Sequence, residues 1–377
     1  MTTTARGPDR SLRLACFATQ GTGHRDEDRI RTLLREFDPT VLRFDRRRRA
    51  WQVPRLVGSL RRQRPDLLAM EGTGVAGGLA VLLARALLGI PFVVSTGDAV
   101  APFLRRRHRV LGPAAAVYER ALYRSAAGVI AWTPFLAGRA IALGARRAMY
   151  APNWAPEPAS EAAGLAVRRE LGLSPDDVVF GIAGSLDWTD RVGYCYGSEL
   201  VRAGRRVDRD DVKVVIVGDG SGRPQLERLA GPRLGTTVLL PGRVERDRVQ
   251  AYLRAFDVGS LPQSVDQVGA LRYTTKLSEY LAASLPIVTG EIPLAYEFGT
   301  RWLWRMPGDA PWEEPYLAAL ADLMRTITRE EVDRRRALMP AGVRAFDVEV
   351  QIEQVSAFVR DLCRSPRPLP FSPQGAG

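Results

Sequence analysis

The stretch VKVVIVGDGSGRPQLERLAGPRLGTTVLL (Val212–Leu240) holds one complete unit of the fold. Val212–Val217 is an apolar, β-branched run broken only by Lys213, the composition of a strand buried on both faces. It ends in the glycine turn Val217-Gly-Asp-Gly220. Pro224–Ala230 then carries helical apolar spacing with proline in the first turn, and Val238–Leu240 returns to strand composition. Strand, tight turn, helix and strand in about 30 residues make a βαβ unit, and such units build parallel sheets with right-handed crossovers.

The same alternation extends in both directions. Toward the C-terminus follow a helix at Asp247–Phe256, a strand at Val258–Leu261, a helix at Thr275–Ala283 and a strand at Pro286–Thr289. Toward the N-terminus lie a helix at Gly193–Arg202 and a strand at Val178–Ile182. An independent series occupies residues 1–150. Its strands are Leu12–Ala18, Val41–Phe44, Leu67–Met70, Pro91–Ser95, Gly128–Ala131 and Ala148–Ala151. Its helices are Asp26–Phe37, Val75–Leu88, Pro113–Arg124 and Pro134–Leu143. Between the series, residues 151–160 (APNWAPEPAS) carry three prolines, which oppose regular structure and mark a linker. The expected fold is α/β, with two Rossmann-like doubly wound domains facing across a cleft: 1–152 and 153–345. Helices at Pro311–Thr326 and Arg329–Leu338 follow. A last one at Val348–Leu362, within a segment 346–363, is expected to return to the first domain, ahead of a disordered tail at 364–377.

Composition narrows the function classes. The chain has 377 residues, 46% hydrophobic, enough for two cores and too apolar for global disorder. Its three cysteines, Cys16, Cys195 and Cys363, are far apart, without metal or redox spacing, and fit a reducing, cytoplasmic compartment. The net charge is +12, and 52 of the 54 basic residues are arginine; the lysines are Lys213 and Lys276. A coding bias explains the arginines. It also singles out a surviving lysine as a compact point charge that arginine cannot replace. The charge is uneven: residues 1–150 hold 26 Arg against 11 Asp/Glu, and residues 151–377 hold 28 basic against 31 acidic. A basic half suggests an anionic membrane surface or a charged acceptor, with a solvated face as the plain alternative. Arg46–Arg49, Arg55, Arg61, Arg62, Arg64 and Arg105–Arg109 carry the surplus. Nucleic acid is excluded as a partner, because the clusters lack interleaved aromatics and no recognition module is present.

Ligands of open α/β sheets lie beyond the carboxyl ends of the strands. After the first strand comes Gly21-Thr-Gly23, where glycine permits close backbone approach; a plain βα turn explains it as well. Asp26 stands where a dinucleotide fingerprint needs its third glycine. His24, one of two histidines, is a site candidate or a surface residue. Asp98 follows the fourth strand, suited to holding a hydroxyl, taking a proton, or capping a turn. In the second half, Gly184-Ser-Leu-Asp-Trp-Thr-Asp-Arg191 places Arg191 just before a helix, able to pair with phosphate. Gly218 opens the next turn. Arg272-Tyr-Thr-Thr-Lys-Leu-Ser-Glu-Tyr-Leu-Ala282 is the most informative segment. Thr274 and Thr275 suit a helix N-terminus that attracts phosphate, and Lys276 and Glu279 share a helix face. An exposed ion pair is the plain reading; lysine for a diphosphate and carboxylate for a ribose diol is the functional one.

With these residues in view, the second half resembles retaining glycosyltransferases of the GT-B fold, family 4 type. The matching stretches are Phe180–Arg191, Val215–Gly220 with Gln225–Leu229, Val238–Gly242 and, most specifically, Lys276–Val288; Asn153 resembles the linker asparagine. The resemblance implies a nucleotide-diphosphate-sugar donor, an acceptor hydroxyl on a small molecule or glycan precursor, transfer with retention, and neither cofactor nor metal. It puts Glu279 on the donor ribose and Arg191 near a phosphate-binding lysine position. Ser185 falls where many members have arginine, the backbone at Thr274–Lys276 meets the diphosphate, and Gly23 lies in the loop that closes on the donor. Asp98 and His24 become acceptor-side or reaction-centre candidates. One position departs: eight residues before Glu279, where the family often has a second glutamate for the donor sugar, stands Leu271. Asp266, Gln267 or backbone near Gly269 are the replacements to consider. Two alternatives remain: a peripheral-membrane enzyme acting on a lipid or polyprenyl-linked acceptor, at the inner face of the cell membrane, and a non-catalytic nucleotide-sugar-binding protein.

Overall fold

A computed structural model describes residues 12–107, 109–297, 300–340 and 342–364. They fall into two compact units: residues up to Pro152 together with those from Asp347 onward, and Asn153–Phe346.

The first unit contains β1 (Leu14–Ala18), α1 (Arg25–Leu33), β2 (Thr40–Val41), α2 (Arg49–Gln63), β3 (Leu67–Glu71), α3 (Val75–Leu88), β4 (Phe92–Thr96), α4 (Val100–Arg107), α5 (Gly112–Ser125), β5 (Gly128–Ala131), α6 (Pro134–Ala142) and β6 (Ala148–Tyr150). Its six strands are parallel in the order β2-β1-β3-β4-β5-β6, so the winding direction reverses between β1 and β3. One sheet face packs Phe17, Met70, Val94 and Val129 against Leu60, Val81 and Leu122 of α2, α3 and α5.

The second unit contains α7 (Glu161–Glu170), β7 (Val178–Ala183), α8 (Ser198–Gly204), β8 (Val212–Val217), α9 (Arg223–Ala230), β9 (Val238–Gly242), α10 (Val249–Ala255), β10 (Val258–Leu261), α11 (Thr275–Ala282), β11 (Ile287–Gly290), α12 (Leu294–Glu297), β12 (Leu303–Met306), α13 (Glu314–Thr326) and α14 (Arg329–Ala337). The parallel order is β12-β11-β10-β7-β8-β9, with its reversal between β7 and β10. The final helix, α15 (Val348–Arg364), belongs to the first unit and packs against α1. Apart from Arg364, the tail expected at 364–377 lies outside the described residues.

The sheets follow the sequence reading; the exceptions have local causes. The helix expected at Gly193–Arg202 starts only at Ser198. Thr189 and Tyr194 first form an antiparallel bridge, and Gly197 (φ +89°) turns the chain into the helix. The helix expected through Phe37 breaks after Leu33 and ends in a 3-10 turn with Asp38 left-handed at φ +47°. Helices α2, α4, α7 and α12 and strand β12 lie where the sequence reading placed no element. Within α2, Pro54 sits inside the helix, and the polar Gln52 shares the buried side with Leu56 and Leu60, which blurs the apolar period.

Two buried carboxylates tie the second unit together in opposite ways. Asp257 is 2% exposed and accepts from Arg168 Nη1 (3.0 Å) and the Val179 amide (2.9 Å), with Arg329 at 3.0 Å. Arg168 also binds the carbonyls of Ala255, Ser174 and Asp177. Glu199 is fully buried with polar but uncharged partners: Ser260 Oγ (2.7 Å), Tyr194 Oη (2.9 Å) and the Gly197 amide (3.1 Å). Burial pushes its carboxyl above the usual range. Removing Asp257 strands Arg168, so Asp257→Ala should lower unfolding free energy by about 3–5 kcal/mol in urea titrations; an unchanged midpoint would refute the network. For Glu199 the folded state holds its proton to higher pH than the unfolded chain. Its contribution is therefore full below the ordinary carboxylate range and declines as pH rises toward the raised value. Glu199→Gln should lack that decline, its stability gaining on the parent between acidic and neutral pH; parallel stability–pH curves would contradict this.

Candidate active site

At the reversal point between β7 and β10, the loops after the strands and the start of α11 converge. The segments after β7 and β8 lie backbone to backbone. The amide of Gly184 donates to Val217 O (2.9 Å) and that of Leu186 to Asp219 O (3.1 Å). Gly218 has φ +141°, and a Cβ there would stand 1.9 Å from Gly184 O, so protein packing already accounts for this glycine. Gly184 faces Lys276: a Cβ on Gly184 would sit 2.9 Å from Lys276 Nζ. That ammonium is 4.2 Å from the centre of the Tyr196 ring, and Lys276 is only 8% exposed. Lys213, the other lysine, merely reaches Thr236 O at 3.3 Å on the surface.

Thr274 takes the N-cap backbone conformation of α11, but its hydroxyl makes no capping bond; Oγ1 is buried and unpartnered among the described residues. The first amides of a helix have no acceptor within it. This end of α11 therefore offers N–H groups beside a buried ammonium, and Thr275 opens the helix with them. Glu279 lies one turn further, half-buried. Ser185 is exposed and donates to Asp187 Oδ2 (2.8 Å). Arg191 is exposed on the turn of the Thr189–Tyr194 hairpin, seven residues before α8, rather than directly at a helix start.

The loop after β10 holds the residues considered in place of Leu271. Asp266 Oδ1 accepts from the amides of Val268 (2.9 Å) and Gly269 (2.8 Å), closing its own turn, and Gln267 is exposed. Gln263 instead sits buried just beyond β10. Its Nε2 donates to Arg272 O (3.3 Å), and its Oε1 is buried without a partner among the described residues. The sequence missed Gln263 because nothing local sets a glutamine apart; its position after a strand was the available signal.

In the first unit, the turn after β1 holds Gly23 at φ +80° with open space around its missing Cβ, and its amide meets Glu27 Oε1 at 3.4 Å. His24 is the N-cap of α1: its Nδ1 accepts from the Asp26 amide (3.2 Å), and its ring is partly exposed. Asp98 is half-buried between β4 and α4. The amides of Val100 and Ala101, in the first turn of α4, go to the two oxygens of Glu119, both at 3.1 Å. A network the sequence reading missed closes the carboxyl ends of β3 and β4. Arg29 Nη1 donates to Glu71 (2.7 Å) and Ser95 Oγ (3.0 Å), Trp132 Nε1 donates to Glu71 (3.1 Å), and Arg29 Nη2 reaches Ala151 O. Burial pushes the Glu71 carboxyl up, against the pull of Arg29, and the neighbouring Cys16 thiol up to about 12. A lone carboxylate ending the strand Leu-Leu-Ala-Met-Glu71 was the legible sign. Among the described residues no three His, Cys, Asp or Glu side chains gather as a metal-binding group.

These sheets and loops match known proteins. The model of the "Glycosyl transferase 4-like domain" matches residues 5–154 and that of "Glycosyl transferases group 1" matches residues 177–311, together more than half of the chain. The alpha-D-kanosaminyltransferase of Streptomyces kanamyceticus is 27% identical over 237 residues, covering 59% of this chain and 58% of that protein. The chain thus matches a little over half the length of this curated relative. HepE of Anabaena, solved with UDP, superposes with a TM-score of 0.65 at 16% identity, covering 93% of this chain and 100% of that one. Sucrose-phosphate synthase of Thermosynechococcus elongatus does so with 0.64 at 16% identity, covering 95% and 99%. Two parallel six-stranded sheets, each reversing its winding direction once, and both family models lead to one conclusion: the chain belongs to the glycosyltransferases of the group 1, family 4 type, with the GT-B fold.

Proposed function

We propose that this glycosyltransferase moves a sugar from a nucleotide-diphosphate-sugar to an acceptor hydroxyl with retention, using neither cofactor nor metal. The observation that carries the reading is the ammonium of Lys276, held against Gly184 and Tyr196 at the N-terminal end of α11. A buried ammonium beside free helix amides is complementary to a leaving diphosphate, whose charge grows as the glycosidic bond breaks. Lys276 and these amides take that charge in place of a metal. Glu279 holds the ribose diol. Gln263 Oε1, the unpartnered acceptor beyond β10, receives a donor-sugar hydroxyl, the contact that Leu271 cannot make. Ser185, Gly218 and Arg191 line the phosphate side. Gly23 supplies a loop free to close, and Asp98 and His24 orient the acceptor. HepE was solved with UDP, so uridine diphosphate and its sugars are the first donors to try.

Three free cysteines are in keeping with a reducing, cytoplasmic setting, and among the described residues no helix is long and apolar enough to cross a membrane. A second reading places the acceptor on a lipid at the inner face of the membrane; the arginine surplus of residues 1–150 favours it.

The test is donor binding and turnover. Lys276→Ala should weaken nucleoside-diphosphate binding by about tenfold or more, the scale of a lost charge-assisted hydrogen bond, and Lys276→Arg, whose planar guanidinium is too large for the space beside Gly184, should not restore it. Calorimetry and thermal shift read this directly. Equal affinity in all three proteins would remove Lys276 from the site. Tight donor binding with no transfer or hydrolysis of any nucleotide sugar would favour the non-catalytic alternative.

A further inference from the structure

Helices α2, α3 and α5 cover one face of the first sheet, and their outward sides differ from an ordinary solvated surface. On α3, Val75, Leu79, Leu83 and Leu87 recur every fourth residue, each between 41% and 69% exposed. A surface helix normally turns its polar side to water; α3 has a single charged residue, Arg85, in 14. It packs against both α2 and α5. The outward stripe of α2 is Trp51, Arg55 and Arg62, with Trp51 69% exposed; that of α5 is Val117, Arg120 and Arg124, with Val117 70% exposed. An apolar ridge therefore runs between two arginine-bearing flanks.

The charge on this layer is one-signed. The sequences of α2, α3 and α5 hold seven arginines and one carboxylate, Glu119, which is buried against Arg139 (2.8 Å). The opposite sheet face is covered by α15, whose Phe358 and Leu362 press on Gly128, and by α1 beside it. These two helices hold six Asp/Glu against five arginines. A coding preference for arginine acts on both faces. It cannot remove the carboxylates from one of them.

We propose that the α2–α3–α5 face docks on an anionic lipid bilayer. The leucine ridge enters the boundary between headgroups and acyl chains, and the flanking arginines bind lipid phosphates. A second copy of the chain is a poor occupant, since it would bring arginines against arginines without a carboxylate between them. A nucleic acid would meet leucines where it needs cations and aromatic platforms. The inference is independent of the donor site and holds whether or not the chain transfers sugar.

Co-sedimentation of the full chain with vesicles tests it. Vesicles containing phosphatidylglycerol should bind the protein, and phosphatidylcholine alone should not; high salt should weaken binding about tenfold or more. Reversing Arg55, Arg62 and Arg120 to Glu should abolish binding, whereas reversing the exposed Arg169, Arg205 and Arg228 of the second unit should leave it intact. Leu83→Asp, and Leu87→Ser at the more exposed helix end, should weaken binding even at low salt, with circular dichroism and melting confirming the fold. Binding that ignores lipid charge, absence of binding, or retention by the triple reversal or by folded ridge variants would overturn the proposal. So would capture of duplex DNA, or self-association through the ridge, in place of vesicles.

Discussion

The ammonium of Lys276 can occupy its place only because three backbones lie unusually close. Gly218 lets the loop after β8 touch Gly184, Gly184 lets the side chain of Lys276 lie against the loop after β7, and α11 delivers that side chain from its first turn. A side chain at either glycine would meet atoms at 1.9 to 2.9 Å, inside van der Waals distance, and push these parts away. The strand order makes the meeting possible, since the sheet reverses between β7 and β10 and leaves a gap above the strand ends. Arginine could not substitute: its planar guanidinium needs more room than the space left by a missing Cβ, and a compact ammonium fits.

Elsewhere arginine does the internal bonding of this protein. Arg29 joins Glu71, Ser95 and the carbonyl of Ala151; Arg139 holds Glu119, which in turn caps α4; Arg168 holds Asp257 and three carbonyls. The five donors of a guanidinium satisfy several loop ends at once, which suits a site where segments distant in sequence converge. The arginine content thus has two physical destinations, a bonded interior and a one-signed surface layer, while the single buried lysine marks a third kind of place.

Most of the fold was legible because strands buried on both faces read as unbroken apolar runs: Val258–Leu261, Gly128–Ala131 and Val212–Val217 were bounded to the residue. The short hairpin at Thr189–Tyr194 was not, since one bridge and a left-handed glycine leave no periodic trace, and the expected helix consequently began too early. Lys276 was legible through rarity alone. Glu199 and Arg29 with Glu71 were not, because Ser260 and Ser95 lie far along the chain and only the tertiary structure brings them together; Gln263, whose partner Arg272 is near in sequence, was not because nothing local sets a glutamine apart. Glu119, from the following helix, takes the amides of Val100 and Ala101 at the start of α4, a contact no local reading reaches. The α2–α3–α5 face was half visible: the arginines could be counted, but the leucine ridge between them needed the helices in place.

The central claim is that the Lys276–Gly184 junction receives a diphosphate. A crystal structure of the chain with a bound nucleoside diphosphate tests it most directly. The account predicts a phosphate oxygen within hydrogen-bond distance of Lys276 Nζ and of an amide in the first turn of α11, with the ribose near Glu279. A diphosphate seated elsewhere on the second unit, with Lys276 still packed on Tyr196 and touching no ligand atom, would contradict it.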